Sequence, residues 1–149
     1  MTQTPGTPVR LTRRREIEWS ECDPAGIVYY PRYAEMFDAN TNALFHHVTG
    51  LSKRQIQATH DIVGWPMVDS QVSFRAPATY GDVVEITSHV ARFGGSSIEL
   101  HHRIAHLDGT VIAEGTDKRV WVGRHPDKPG AIKAQPLPQA FTVGFFTAE

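Results

Sequence analysis

Residues 31–50 read Pro31-Arg32-Tyr33-Ala34-Glu35-Met36-Phe37-Asp38-Ala39-Asn40-Thr41-Asn42-Ala43-Leu44-Phe45-His46-His47-Val48-Thr49-Gly50. Tyr33, Met36, Phe37, Ala43, Leu44 and Val48 fall on one stripe at a 3.6-residue period, which predicts a helix from Pro31 to about Val48. Proline suits the first helical turn, where its missing N–H leaves no bond unmade, and Gly50 stands where a left-handed C-cap belongs. His46 and His47 lie near the helix C-terminus, where positive charge complements the dipole. Ser52 followed by Gln55 forms a capping box for a second, short helix to about Ala58.

Downstream the period changes from 3.6 to 2. Residues 68–75, 82–93, 96–107 and 110–122 read as strands, the last three joined by the hairpin signals Gly94-Gly95 and Asp108-Gly109. In the middle run Ile98, Leu100 and Ile104 share a face and alternate with Glu99, His101 and Arg103. Upstream, residues 9–19 form a further strand, with Leu11, Ile17 and Trp19 on one side. The class is α+β: a curved antiparallel sheet wrapped around one long helix, in a single domain spanning 9–123. Residues 1–8 read as a disordered leader and 124–149 as a Pro-rich extension, extended over 126–138, whose Phe141–Phe146 segment docks on the body or on a neighbouring subunit. The exposed sheet edges call for cover, which a second copy supplies.

Just before the helix stands Cys22-Asp23-Pro24-Ala25-Gly26-Ile27-Val28-Tyr29-Tyr30. Asp, Pro and Gly at the first, second and fourth positions are a type I turn signature, in which Asp23 bonds its own backbone. The same residues set a carboxylate ahead of a helix N-terminus, where free N–H groups and the helix dipole stabilise negative charge. That is the requirement of acyl transfer, in which charge develops on a carbonyl oxygen. The residue types alone leave both readings open.

Composition narrows the field. Fifteen Lys and Arg against sixteen Asp and Glu give a net charge of -1, so nothing electrostatic favours nucleic acid or an anionic membrane as partner. Arg13-Arg14-Arg15 reads as a solvated strand face. Cys22 is the only cysteine and forms no internal disulfide; with no apolar run of membrane length and no signal-peptide core, the expected location is cytoplasmic. Eight histidines raise the question of a metal. Yet His101, His102 and His106 lie on one strand with only His102 and His106 on a common face, and no metal or organic cofactor is expected. His60-Asp61 comes without a nucleophile elbow, so no Ser-His-Asp triad is expected, and Glu35, the other helix carboxylate, points away from the apolar stripe.

The stretch Cys22 to Pro31 resembles the signature of the 4-hydroxybenzoyl-CoA thioesterase family, acyl-CoA hydrolases of the hotdog fold. A second block, Ile62 to Val68 with Ser73-Phe74 and Tyr80-Gly81-Asp82-Val83-Val84, matches as well, and the similarity covers roughly residues 11–122. The resemblance implies that Asp23 is the catalytic carboxylate, as nucleophile or as general base, and that the backbone N–H of Tyr30 polarises the thioester carbonyl. Gly26 would let the backbone pass close to substrate and Asp38 would read a ring hydroxyl, while Trp65, which departs from the family pattern by standing where a small residue precedes Pro66, would narrow the acyl pocket. The implied substrate is an aromatic acyl-CoA and the implied assembly a dimer at least, with a tetramer the fuller form. A broader aliphatic acyl-CoA or acyl-carrier-protein thioesterase and a non-catalytic acyl-CoA-binding module are the alternatives. The chain departs from the family pattern near Lys53 and Arg54, where an aromatic residue is replaced, and at Gly94-Gly95, where relatives carry basic residues for the nucleotide phosphates. There the glycine N–H groups would form an anion nest or a plain hairpin, with Arg75, Arg103 or Lys118 as other phosphate ligands.

Overall fold

A computed structural model describes residues 6–148. Its elements run β1 (Thr7–Pro8), β2 (Arg10–Glu16), α1 (Pro31–Thr49), α2 (Lys53–His60), β3 (Met67–Phe74), β4 (Val83–Phe93), β5 (Ser97–His106), β6 (Val111–Val120), β7 (Val122–Arg124), β8 (Ile132–Ala134), α3 (Gln139–Thr142) and β9 (Phe146–Thr147). Five strands make one sheet in the order β2-β4-β5-β6-β3, every pair antiparallel. Helix α1 packs on one face of this sheet, which is the expected architecture.

The local signals behave as their chemistry dictates. Gly50 caps α1 with a left-handed φ of 73°, and the Ser52–Gln55 box closes reciprocally at the head of α2. Asp108-Gly109 turns β5 into β6, with Gly109 at φ 92° and its N–H donating to the His106 carbonyl. Four expectations change. Strand β2 ends at Glu16, and Trp19, placed above on the buried face, belongs to a 3-10 turn and is exposed. The strand expected over 110–122 breaks at Trp121, and β7 pairs with β8 instead, so the stretch 126–138 is not wholly extended. Neither Gly94 nor Gly95 takes a left-handed φ, and Gly94 N–H bonds the Ser97 carbonyl in a loop. Without that backbone alternation the anion nest does not form. Of the leader expected over 1–8, residues 1–5 lie outside the described residues, while Thr7–Pro8 pairs with Phe146–Thr147.

The interior divides along α1. Around its N-terminal half, Tyr33, Met36 and Phe37 pack with Ile17, Val28, Val84, Ile86, Ile104 and Ile112. Around its C-terminal half, Leu44 and Phe45 meet Trp65, Trp121, Phe141 and Phe145, so the C-terminal segment docks on the body of its own chain. Between the two clusters runs a buried polar chain. Asn40 accepts from Arg13 Nε at 2.7 Å and donates to Ser88 Oγ at 2.6 Å. Ser88 Oγ lies 2.7 Å from His102 Nδ1, and His102 Nε2 lies 2.8 Å from Asp117 Oδ2. Phe37 stacks flat on the His102 ring at 4.9 Å. The arginine run of β2 is thus partnered singly: Arg13 with Asn40, Arg14 with Glu85 and Arg15 with Glu21.

Candidate active site

The Asp23 turn is a small hairpin closed on itself and tied to the loop between β3 and β4. Cys22 bridges Val28, and Ile27 bridges Thr79. Inside it Asp23 N–H donates to the Ile27 carbonyl and Gly26 N–H to the Asp23 carbonyl, both at 2.9 Å, while Asp23 Oδ1 accepts from Ala25 N–H at 2.9 Å. The turn signature is therefore real, and it fixes the carboxylate: one oxygen is held by the backbone and the other has no hydrogen-bond partner among the described residues. Gly26 sits at φ 83°, a conformation that costs an L side chain about 1–2 kcal/mol.

The hairpin's second strand feeds directly into α1. Tyr29 N–H is used by the Glu21 carbonyl and Val28 N–H by that of Ala78. Pro31 has no N–H, so Tyr30 carries the donor at the head of the helix, and among the described residues that N–H donates no hydrogen bond. A free donor at the positive end of a 19-residue helix can stabilise negative charge brought to it. Beside it a cavity of about 310 Å³ opens between α1 and β3, lined by Ile27, Tyr30, Tyr33, Phe74, Arg75 and Pro77 among others. Burial, reinforced by Cys22 and Asp82, pushes the Tyr33 hydroxyl up to about 12, so it stays a neutral phenol. Trp19, Tyr29, Tyr30, Phe74 and Tyr80 crowd this end with their rings exposed, Trp19 edge-on to Tyr80 at 4.8 Å.

Asp38 lies two turns further along α1, beside a shallow groove of about 510 Å³ lined by Ala34, Asp38, Ala39, Asn42, Met67 and Arg119. Its Oδ1 accepts from Arg119 Nη2 at 2.6 Å. The arginine is 95% buried, whereas the Asp38 side chain is half exposed. Arg119 also reaches the Trp65 carbonyl at 3.4 Å and approaches Asp117 at 3.9 Å. Asp117 in turn accepts from Ser70 Oγ. Burial pushes the Asp117 carboxyl up, but His102, Arg119 and Ser70 together overcome it and the net shift is down. Trp65 itself is not beside Asp23: its ring is buried with Trp121, Phe45 and Phe141, and Lys53 covers it at 5.3 Å.

The remaining candidates separate cleanly. Glu35 pairs with Arg32 on the exposed side of α1. Arg75 lines the cavity at the helix head and pairs with Glu114, whereas Arg103, across the β5–β6 ladder from Glu114, bonds the Gly109 carbonyl and Lys118 is exposed on β6. Both nitrogens of His102 are engaged in the polar chain, which removes it as a metal ligand; among the described residues no three His, Cys, Asp or Glu side chains gather as ligands would. That chain is what the sequence reading missed. Its signal was phase: Asn40 falls on the apolar stripe of α1, and Ser88, His102, Asp117 and Arg119 each occupy an inward position of their strands.

Comparison with known proteins shows the family. The profile of the family described as the Thioesterase-like superfamily matches residues 17–145. The chain is 33% identical over 127 residues to 4-hydroxybenzoyl-CoA thioesterase of Pseudomonas sp. (strain CBS-3), which spans 83% of this chain and 90% of the relative. It is 25% identical over 130 residues to the acyl-CoA thioester hydrolase YbgC of Escherichia coli O157:H7, covering 87% of this chain and 90% of that one. Among solved structures, 4-hydroxybenzoyl CoA thioesterase from Pseudomonas sp. strain CBS-3 superposes with a TM-score of 0.79 at 27% identity, covering 89% of this chain and 96% of the other. The BH1999 gentisyl-coenzyme A thioesterase superposes with a TM-score of 0.76 at 26% identity, covering 89% and 100%.

Proposed function

The chain belongs to the thioesterase-like superfamily of hotdog-fold acyl-CoA thioester hydrolases, and from that premise we propose that it hydrolyses an aromatic acyl-CoA with Asp23 as the reacting carboxylate. The observation that carries this reading is the unused Tyr30 N–H at the head of α1, seven residues after a carboxylate fixed by its own turn. The thioester carbonyl oxygen accepts from Tyr30 N–H, and the helix dipole stabilises the charge that develops there. Asp23 then acts by one of two routes. It adds to the carbonyl carbon, the C–S bond breaks, coenzyme A leaves as the thiol with a proton from solvent, and water opens the mixed anhydride to acid and free Asp23. Or Asp23 takes a proton from a water that adds directly to the carbonyl carbon, and as the C–S bond breaks that proton passes to the departing thiolate of coenzyme A. A single turnover in 18O-labelled water separates the routes, because only the first leaves label in the Asp23 carboxylate.

Gly26 brings the backbone close to substrate, and the apolar cavity under Phe74 lies beside the reacting carbonyl. Asp38 faces the far end of the acyl group, and Trp65 contributes from beneath through its carbonyl bond to Arg119. A second copy of the chain covers the site. Its support is strand β3, an eight-residue edge of the sheet whose Met67, Val68 and Phe74 are exposed, continuous with the bare aromatic rings around Tyr30. Sedimentation distinguishes monomer, dimer and tetramer. No described helix is long and apolar enough to cross a membrane, and with the lone thiol of Cys22 a reducing, cytoplasmic setting is the proposed location.

The deciding experiment is thiol release from benzoyl-, hydroxybenzoyl-, phenylacetyl- and fatty acyl-CoA by the wild type and by Asp23→Asn. Hydrolysis of the aromatic substrates that disappears in Asp23→Asn, with unchanged melting, is the expected result. Preference for the fatty acyl-CoAs would favour the aliphatic reading. Binding without release would favour a non-catalytic module, and substantial turnover by Asp23→Asn would remove that residue from the chemistry.

A further inference from the structure

Asp38 does not stand alone on the helix. Its carboxylate is clamped at one oxygen by Arg119 Nη2, and Arg119 is held from behind by the Trp65 carbonyl and by Asp117, which His102 and Ser70 fix in place. The free oxygen of Asp38 has no partner among the described residues and belongs to a groove walled by Ala34, Ala39 and Met67. Pro31 and Asp38 are seven residues apart, so they stand on nearly the same face of α1, separated by about 10 Å of rise. An acyl group laid from the helix head along this face meets Asp38 at its distal end.

We infer that Arg119 is a positioning residue for acyl selection, which orients the Asp38 carboxylate to accept from a hydroxyl on the distal end of the acyl group and to turn away a carboxylate there. The inference rests on the aromatic thioesterase reading above and deepens it. Two physical points carry it. First, a half-exposed Asp on a helix would sample several rotamers, whereas the bond to a buried guanidinium selects one and leaves one oxygen facing the groove. Second, carboxylates outnumber cations among the groove's lining residues: Asp38 and Glu35, the latter paired with Arg32, against Arg119 alone, which also approaches the buried Asp117. A neutral donor is welcome in such a groove and a second anion is not. Arg119 touches no reacting atom and acts only through Asp38.

The test compares kcat and KM for benzoyl-, 4-hydroxybenzoyl- and 4-carboxybenzoyl-CoA in the wild type, Arg119→Met, Arg119→Lys and Asp38→Asn. The wild type is expected to rank hydroxybenzoyl first and carboxybenzoyl last. In Arg119→Met the hydroxybenzoyl-to-benzoyl ratio of kcat/KM falls by about 10- to 100-fold, the range of one hydrogen bond to a charged group, with the change in KM. Arg119→Lys, which keeps the charge, recovers part of that ratio. Asp38→Asn leaves Arg119 uncompensated toward the groove, and the carboxybenzoyl substrate gains on the hydroxybenzoyl one. A purely structural arginine would lower all three substrates together. That result, or equal use of benzoyl and hydroxybenzoyl groups by the wild type, overturns the inference and leaves the thioesterase reading standing. If Arg119→Met does not fold, the half-exposed Asp38→Asn decides alone: an unchanged ranking of the two substituted substrates refutes the clamp. Absence of any aromatic thioester hydrolysis by the wild type refutes the reading beneath it instead.

Discussion

The two ends of helix α1 are both rich in aromatic residues and use them in opposite ways. At the C-terminal end Phe45, Trp65, Trp121, Phe141 and Phe145 are buried against one another, closed over by the chain's last segment. At the N-terminal end Trp19, Tyr29, Tyr30, Phe74 and Tyr80 are exposed around the Asp23 turn. Aromatic side chains carry much apolar area in rigid form, so the closed end supplies stability while the open end presents ready surface for a substrate or a second chain. One end is closed within the chain and the other is left open.

That contrast can be broken at either end. The largest effect is expected at the closed end, where Phe141→Ala removes a ring that touches Trp121 at a centroid distance of 4.6 Å and also packs on Phe45 and Phe145. A loss of about 3–5 kcal/mol is expected in urea unfolding, and the same truncation at exposed Tyr29 should cost far less. At the open end, Tyr30→Pro deletes the one donor at the helix head, at a φ of −54° that proline tolerates. It should remove about 2.7–4 kcal/mol of transition-state stabilisation, read as kcat, whereas Tyr30→Ala keeps the N–H and most of the rate. Gly26→Ala meets no neighbouring atom within 4 Å, so only its left-handed φ opposes the change. It should cost about 1–2 kcal/mol in stability and act locally on the Asp23 turn.

How far the sequence revealed this contrast depends on the range of the interactions. The helix, its caps, the hairpins and the Asp23 turn are set by neighbours within a few residues, and each was legible. The fate of Trp19 was not, because a 3-10 turn after Glu16 rotates it off the strand face. Nor was the polar chain, since Asn40, Ser88, His102, Asp117 and Arg119 meet only when α1 and three strands lie in register. The clamp on Asp38 joins residues 81 positions apart, and nothing local to either one announces it.

The smallest expected effect lies on the outer face of the sheet, away from both ends. Burial, helped by Arg10, His101 and His102, lowers His89 from 6.5 to about 4, and Arg10 Nη1 lies 2.8 Å from its Nδ1. Folded His89 therefore stays neutral while the unfolded chain takes up a proton, and stability declines as pH falls from 6.5 toward 4. Asp117 works in the same direction but at lower pH: its lowered carboxyl keeps its stabilising contribution above 3.8 and loses it only in stronger acid. Melting curves across pH 7 to 4 should show a shallower decline in His89→Asn than in the wild type.

The pairing of Thr7 with Thr147 gives the chain a property of its wiring. Thr7 and Thr147 are neighbours, so the path through the described fold nearly closes on itself, and the order in which the strands are synthesised is not what holds them together. A permuted gene that fuses these ends through a short linker and begins instead at the tip between β5 and β6, at Gly109, would keep every ladder of the five-stranded sheet. The same closeness sets Thr7 and Thr147 beside Phe146, at the sealed pole opposite the Asp23 turn, so that a tether attached there stands away from that turn.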